Sequence, residues 1–312
     1  EENLAHPILL GHPDNILSKI RELGLRGLKN IEIIDPTESE DATEFAQFLF
    51  ESRKRKGITQ TEARRLVGRS FYYAAISVAL GKAGGLVAGA SSSYSDCVRP
   101  ILQAIGTGKS GLAAGLNVVL FKGKILLFSD TSINKCPSAE DLAKIAIHAS
   151  KAAEYFGLVP QIAMLSYSNF TGEEGVPLKM RKATEIIKKM KPNLIVDGEM
   201  QADTAIDPDI VKRIFPFCEI KNGANILVFP NLESGNISYK LLQQLGGGEV
   251  LGPFIMGLKR PANVVARASS TEDIFNTIAM TALQIQAFDR SKKSHLENEI
   301  HEVRQHTSST VL

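Results

Sequence analysis

Short apolar runs alternate along this chain with amphipathic helical stretches. That alternation is the pattern of a parallel α/β architecture, in which helices carry the chain between neighbouring strands. After Gly11 a helical pattern covers about residues 14–23 and stops near Gly24, and 31–34 reads as a short strand before Pro36. From 41 to 56 the apolar positions Ala42, Phe45, Phe48 and Leu49 recur at helical spacing, with Gly57 as a C-terminal stop. Thr59-x-x-Glu62 has the form of a capping box and opens a helix expected to run to about Leu80. Residues 84–89 form a buried strand that leads into the small-residue loop 90–95.

The pattern continues through the second half. Segments 118–121 and 125–128 flank Lys122-Gly123-Lys124, the signature of a β-hairpin. Ser138-x-x-Asp141 resembles another helix start, followed by a strand at 161–165 and the polar loop 166–172. A helix over 178–190 leads through Pro192 to a strand at 194–196. A further strand covers 226–229, a helix begins near Gly235, and the segment 254–257 and a strand at 263–266 precede a long helix from 271 to about 288. The polar remainder from Asp289 is expected to be a solvated tail or a short helix against a partner. At roughly 100–200 residues per domain, 312 residues suggest two domains or one large one.

Composition narrows the function classes. Lys plus Arg number 36 and Asp plus Glu 34, and a net charge of +2 lacks the basic footprint of a dedicated nucleic-acid binder. No apolar run approaches the ~18 residues that a membrane span needs, so no membrane partner is expected. The three cysteines Cys97, Cys136 and Cys218 are too scattered for a disulfide framework or a zinc site. His6, His12 and His148 have no ligand-like neighbours in sequence, and His295, His301 and His306 lie in the tail, so no metal site is expected. The chain opens without Met, with 7–11 already reading as a strand and turn. The expectation is a cytoplasmic protein that begins inside a longer one.

Ligands of open α/β sheets sit at the carboxyl ends of strands, so the polar loops after strands are the places to look. Ser91-Ser92-Ser93-Tyr94-Ser95-Asp96 leads into Arg99, either an anion cradle at a helix start or an N-cap with an Arg on a solvated face. Arg53-Lys54-Arg55-Lys56 is a cationic cluster at a helix C-terminus, where the macrodipole alone favours positive charge. Gly106-Thr107-Gly108-Lys109-Ser110 is no phosphate-binding Walker loop, because Gln103 stands where its first Gly is needed. No G-x-G-x-x-G follows a strand. Ser270-x-x-Asp273 fits a capping box, and with Arg267 nearby the same carboxylate fits a general base. Asp197-Gly198-Glu199 reads as turn former or pocket wall.

Taken in order, these loops resemble the phosphotransacetylases (phosphate acetyltransferases). The resemblance rests on Lys56-Gly57-Ile58-Thr59, Gly85-Leu86-Val87-Ala88-Gly89, Val98-Arg99-Pro100, Met164-Leu165-Ser166-Tyr167-Ser168, Asp197-Gly198-Glu199, Gly235-Asn236-Ile237-Ser238-Tyr239-Lys240, Gly252-Pro253 and Glu272-Asp273-Ile274. It spans about His6 to Gln286. It implies two three-layer α/β/α domains with an interdomain cleft, similar to the isocitrate dehydrogenase-like fold. The expected boundaries are 1–107 with 255–312 for the first domain, its N-terminal strand missing, and 108–254 for the second. It also implies acetyl transfer between coenzyme A and phosphate without a metal. Asp273 would take the thiol proton, Arg53, Arg99 and Arg267 would hold phosphates, and Ser166, Asn169 and Asp273 would line the acyl end.

One departure stands at the implied site. The family's Asp-Leu-Ser-Arg-Gly is replaced by Val264-Val265-Ala266-Arg267-Ala268, so Ala266 takes the place of a serine implicated in catalysis. Losing an oxyanion-type donor costs about 2.7–4 kcal/mol of barrier. Ser166-Tyr167-Ser168-Asn169-Phe170, Lys179-Met180-Arg181-Lys182-Ala183, Asp197-Gly198-Glu199-Met200 and residues 223–228 resemble a subfamily, the C-terminal phosphotransacetylase-like domain of bacterial hybrid malic enzymes. The leading expectation is therefore a catalytically degenerate regulatory domain that binds acetyl-CoA. Asp273 would then be a vestigial base. The chain would form a homo-oligomer of at least two copies, with a malic enzyme half in cis carrying NADP and a divalent metal. The alternative is a working phosphate acetyltransferase.

Overall fold

A computed structural model describes residues 4–28, 31–267 and 269–308. The architecture is mixed α/β, and the chain divides into two compact units: Glu1–Leu86 with Arg260–Ala262 and Ile278–Leu312, and Val87–Lys259 with Asn263–Thr277.

In the smaller unit, β1 (Ile8–Leu10) pairs in parallel with β2 (Glu32–Ile34) around α1 (Pro13–Glu22). Three helices follow: α2 (Ala42–Arg53), α3 (Gln60–Val67) and α4 (Ser70–Leu80). Their inward faces carry Phe45, Leu49, Leu66, Val67, Tyr73 and Ile76, all buried. Gly57 ends the turn after α2 at φ 91°, a left-handed geometry that a side chain resists. Thr59 Oγ1 accepts from Glu62 N at 3.2 Å, as the capping pattern requires, but the helix does not run unbroken to Leu80. Arg69 is extended, and Ser70 starts a second helix after Gly68.

The larger unit begins with β3 (Leu86–Gly89) and α5 (Tyr94–Ala104), then β4 (Ala114–Phe121) and β5 (Lys124–Ser129). The expected hairpin is present: Phe121 faces Lys124, and Lys122 and Gly123 turn with φ of 49° and 73°. Two positive φ angles match the right-handed twist of the strands. α6 (Ala139–Glu154) leads to β6 (Gln161–Leu165), and α7 (Gly175–Met190) to β7 (Ile195–Met200). α8 (Ala202–Ile206) and α9 (Pro208–Ile214), not anticipated from the sequence, precede β8 (Ile226–Val228). α10 (Leu232–Leu245), β9 (Glu249–Met256) and β10 (Ala262–Val265) complete the unit before α11 (Thr271–Ser308).

The six-stranded sheet has the order β7-β6-β8-β5-β4-β9. Its first four strands are parallel, whereas β4 pairs antiparallel with β5 and β9. Residue alternation puts Phe128, Leu165, Leu227 and Phe229 on one face, packed with Ala205 of α8, Val211 of α9 and Tyr239 and Leu242 of α10. On the other face Leu127, Ile162, Met164 and Ile226 are fully buried, where α6 packs. This unit is therefore three-layered. β3 pairs with β10, so closely that a Cβ on Gly89 would lie 2.2 Å from the Val265 carbonyl oxygen.

The segment from Asp289 is neither a separate tail nor a short helix. It continues α11, because the chain from Thr271 to Ser308 holds no Gly or Pro to stop it. Ala268 and the side chains of His295, His301 and His306 lie outside the described residues.

Candidate functional site at the strand ends

The carboxyl ends of β5, β6, β7 and β8 open into four loops. After β6, the loop 166–172 is bound to the end of β7. Ser166 N donates to Met200 O at 2.8 Å and Phe170 N to Glu199 O at 3.0 Å. The Asn169 and Gln201 amides then pair. Asn169 Nδ2 donates to Gln201 Oε1 at 2.7 Å, and Gln201 N donates to Asn169 Oδ1 at 2.8 Å. The Asn169 amide is thus engaged at both ends in holding the loop.

Asp197-Gly198-Glu199 resolves into structural roles for both carboxylates. Glu199 is 0% exposed and accepts from Gly172 N (2.7 Å), Ser168 Oγ (3.3 Å) and Arg181 Nε (3.1 Å). Arg181 also donates to the Gly172 carbonyl. Asp197 accepts from Gly198 N and Glu219 N and stands 3.6 Å from Lys188 Nζ. Neither carboxylate offers an oxygen to a ligand without breaking this network.

The loop after β5 is built on Asp130. Its carboxylate accepts the backbone N–H groups of Gly115, Ser132, Ile133 and Asn134 at 2.8–3.1 Å and the Asn134 amide at 2.5 Å. Tyr94, at the start of α5, meets the Ser132 hydroxyl at 3.0 Å, and burial pushes its phenol above the usual range. Lys179 Nζ donates to Pro137 O at 3.2 Å and Pro230 O at 2.8 Å, tying the loops after β5 and β8 together. Burial holds its ammonium below the usual lysine range. Asp130, Thr131 and Ser132 did not stand out as site residues in the sequence, where their place after a strand and before the Ser138 capping box was the available signal. Tyr94 stood there only within the candidate anion cradle 91–96, and Lys179 only within a stretch that carries the resemblance.

The remaining expected residues are spread over both units. Arg53 closes α2 in the smaller unit and is half-buried. Arg99 is exposed on α5, whose N-cap Ser93 accepts from Asp96 N, so the capping half of the serine-loop reading is present. Ser166 Oγ is buried without a hydrogen-bond partner. Ala266 and Arg267 are exposed just after β10. Asp273 Oδ2 accepts from Ser270 N at 2.8 Å and Ser270 Oγ at 2.9 Å, while Asp273 N donates to Ser270 Oγ at 3.1 Å. The capping box is thus formed, with both contacts to the carboxylate on a single oxygen.

The Walker-like segment is a latch, not a phosphate loop. Gly108 N donates to Gly257 O and Lys259 N to Gly106 O, and Ser110 Oγ lies 2.9 Å from His148 Nε2. Among the described residues, no three His, Cys, Asp or Glu side chains gather as a metal-binding group. No helix among them is long and apolar enough to cross a membrane.

A family model described as phosphate acetyl/butaryl transferase matches residues 1–282. The chain is 38% identical to the Bacillus subtilis phosphate acetyltransferase, over 90% of this chain and 87% of that protein. It is 37% identical to the phosphate acetyltransferase of Nitratidesulfovibrio vulgaris over 91% of this chain, but spans only 40% of that relative's length. A Streptococcus pyogenes phosphotransacetylase structure superposes with a TM-score of 0.86 at 35% identity, covering 90% of this chain and 86% of that one. These relatives overturn the leading expectation of a degenerate regulatory domain of a malic enzyme. They are phosphate acetyltransferases, and two of them are covered to nearly nine-tenths of their length. The oxidoreductase class goes with that correction, and these relatives lend no support to NADP, a divalent metal or a malic enzyme half in cis.

Proposed function

Since the chain belongs to the phosphate acetyl/butaryl transferase family, we propose that it moves an acetyl group between coenzyme A and phosphate. The observation that carries this reading is the 38% identity to the Bacillus subtilis enzyme across nine-tenths of the chain. In the proposed reaction the coenzyme A thiolate attacks the carbonyl carbon of acetyl phosphate. The new C–S bond forms, the C–O bond to phosphate breaks, and inorganic phosphate leaves.

Asp273 is proposed to take the thiol proton. Its bonds to Ser270 fall on Oδ2 and fix the carboxylate at the start of α11, which leaves Oδ1 for the proton. Arg53, Arg99 and Arg267 are proposed to hold phosphate groups and developing charge, and Ser166 and Asn169 to stand at the acyl end. Supporting this assignment are the exposure of Arg99 and Arg267 and the unmatched Ser166 hydroxyl. Ala266, without a hydroxyl, makes the proposed enzyme slower than one with serine there. The division into 1–107 with 255–312 and 108–254, a homo-oligomer of at least two copies and a cytoplasmic setting belong to the same proposal and rest on the family resemblance. That division differs from the two compact units in giving 87–107, 255–259 and 263–277 to the first domain.

The test is acetyl-CoA formation from acetyl phosphate and coenzyme A. The protein is expected to turn over, Asp273→Asn to lose about 10²–10⁴-fold in rate, and Ala266→Ser to gain. A preparation that folds but shows no turnover in either direction refutes the reading.

A further inference from the structure

Among the described residues, three buried side-chain polar atoms have no hydrogen-bond partner: Asn117 Oδ1, Thr131 Oγ1 and Ser166 Oγ. A buried hydroxyl left unmatched gives up its hydration without compensation, so each such group calls for a reason. Two of the three share one edge of the sheet. Ser129, Val228 and Met164 stand level across β5, β8 and β6. Thr131 and Ser166 each follow two residues later, just past the strand ends. The two hydroxyls therefore flank the exit of β8, with two strand spacings, roughly 10 Å, between their backbones. This is the edge at which α/β sheets bind ligands.

Thr131 is the more tightly placed of the two, at 0% exposed. Asn236 Nδ2 of α10 donates to its carbonyl at 3.1 Å, and the next residue, Ser132, meets Tyr94 of α5. Gly235 lies so close to the preceding carbonyl, that of Asp130, that a Cβ there would stand 2.4 Å from it. Thr131 is thus held beside the start of α10, and its neighbour Ser132 meets the Tyr94 phenol that reaches over from α5. The start of α10 presents the positive end of a helix dipole, which favours an anionic partner. The Thr131 carbonyl is matched by Asn236, whereas its hydroxyl has no partner among the described residues.

We propose that Thr131 Oγ1 is a binding hydroxyl for a phosphoryl oxygen, supplied by inorganic phosphate or by the acyl phosphate, with Ser166 Oγ as its companion across β8. This deepens the transfer reading and rests on it. Thr131 is enclosed in this structure, so the contact forms only with the substrate in place, as such bonds commonly do.

The experiment compares the full chain with Thr131→Val and Thr131→Ser. Valine matches threonine in shape and removes the unmatched hydroxyl. Thermal midpoints are read alone and with inorganic phosphate, acetyl phosphate or coenzyme A, and KM and kcat are read in both directions. For Thr131→Val the unliganded midpoint should stay level or rise. The affinities for phosphate and acetyl phosphate, from the midpoint shifts and from KM, should fall about 10–100-fold, the range for a hydrogen bond to a charged group. Coenzyme A affinity should not move, and Thr131→Ser should restore the phosphate response. A lowered unliganded midpoint with unchanged phosphate affinity would mean that the hydroxyl serves the fold alone, and the proposal fails. Loss confined to coenzyme A, or no loss at all, overturns it equally. If the wild type turns nothing over yet responds to phosphate through Thr131, the transfer reading fails and the hydroxyl assignment stands. A wild type whose midpoint ignores phosphate ends the assignment.

Discussion

The ends of β7 and β5 differ in how their polar groups are used. At β7, Glu199 is sealed from solvent and its carboxylate is matched by a backbone N–H, a hydroxyl and a guanidinium. At β5, Thr131 is sealed just as fully and its hydroxyl is matched by nothing. A charge can be buried only inside a complete set of partners, because the unpaired ion would cost several kcal/mol. A neutral hydroxyl can be buried unmatched at about 1–3 kcal/mol, a cost small enough to persist at a binding edge. The closed network therefore marks scaffold, and the open hydroxyl marks a place kept for a ligand.

The sharpest way to break this contrast is to open the closed network. Glu199→Ala leaves the Arg181 guanidinium and the Gly172 N–H without their acceptor and is expected to destabilise the fold by about 3–5 kcal/mol. Urea unfolding measures it. A loss under 1 kcal/mol would show that Glu199 is no more a structural group than Thr131, and the distinction between the two strand ends would collapse.

Part of this was legible in sequence and part was not. The hairpin at Lys122-Gly123 and the capping boxes at Ser138 and Ser270 depend on residues within four positions of each other, so local chemistry decides them. The break between α3 and α4 was missed because one Gly in an apolar helical run is normally tolerated. The end of α11 was misread from a change of composition at Asp289, although charged residues without Gly or Pro continue a helix readily. Asp197 and Glu199 left two readings open because burial and a distant Arg181, not the tripeptide, settle their role. Thr131 gave no signal beyond its place after a strand. Its meaning lies in partners it lacks, and only tertiary packing reveals that.

The second test moves to the rim, where Arg99 is exposed rather than enclosed. Arg99→Ala is expected to weaken coenzyme A or phosphate binding by about 1.5–3 kcal/mol, the range for hydrogen bonds to charged groups, with little change in folding stability. Calorimetric titration separates the two. Unchanged affinity would return Arg99 to the alternative stated at the outset, a charge on a solvated helix face, and the ligand would be held by the strand-end hydroxyls without it.

The smallest effect tests whether closure alone, without ligand chemistry, leaves a pH signature. His148 is half-buried on α6, with Nε2 against the Ser110 hydroxyl in the latch that joins 106–112 to the end of β9. Burial, with Lys151 and Lys144 on the same helix adding like charge, holds its imidazole below the ordinary histidine range. From the partner loop the Leu112 backbone favours the protonated form, but it does not reverse the direction. Because the folded value lies below the unfolded value of about 6.5, the unfolded chain binds the proton first. The stabilisation is therefore complete above about pH 6.5 and is lost as pH falls through the folded value. Thermal midpoints measured between pH 7.5 and 5 should fall more steeply for the wild type than for His148→Gln, which cannot titrate. Parallel curves would mean that the latch holds equally well around a charged ring.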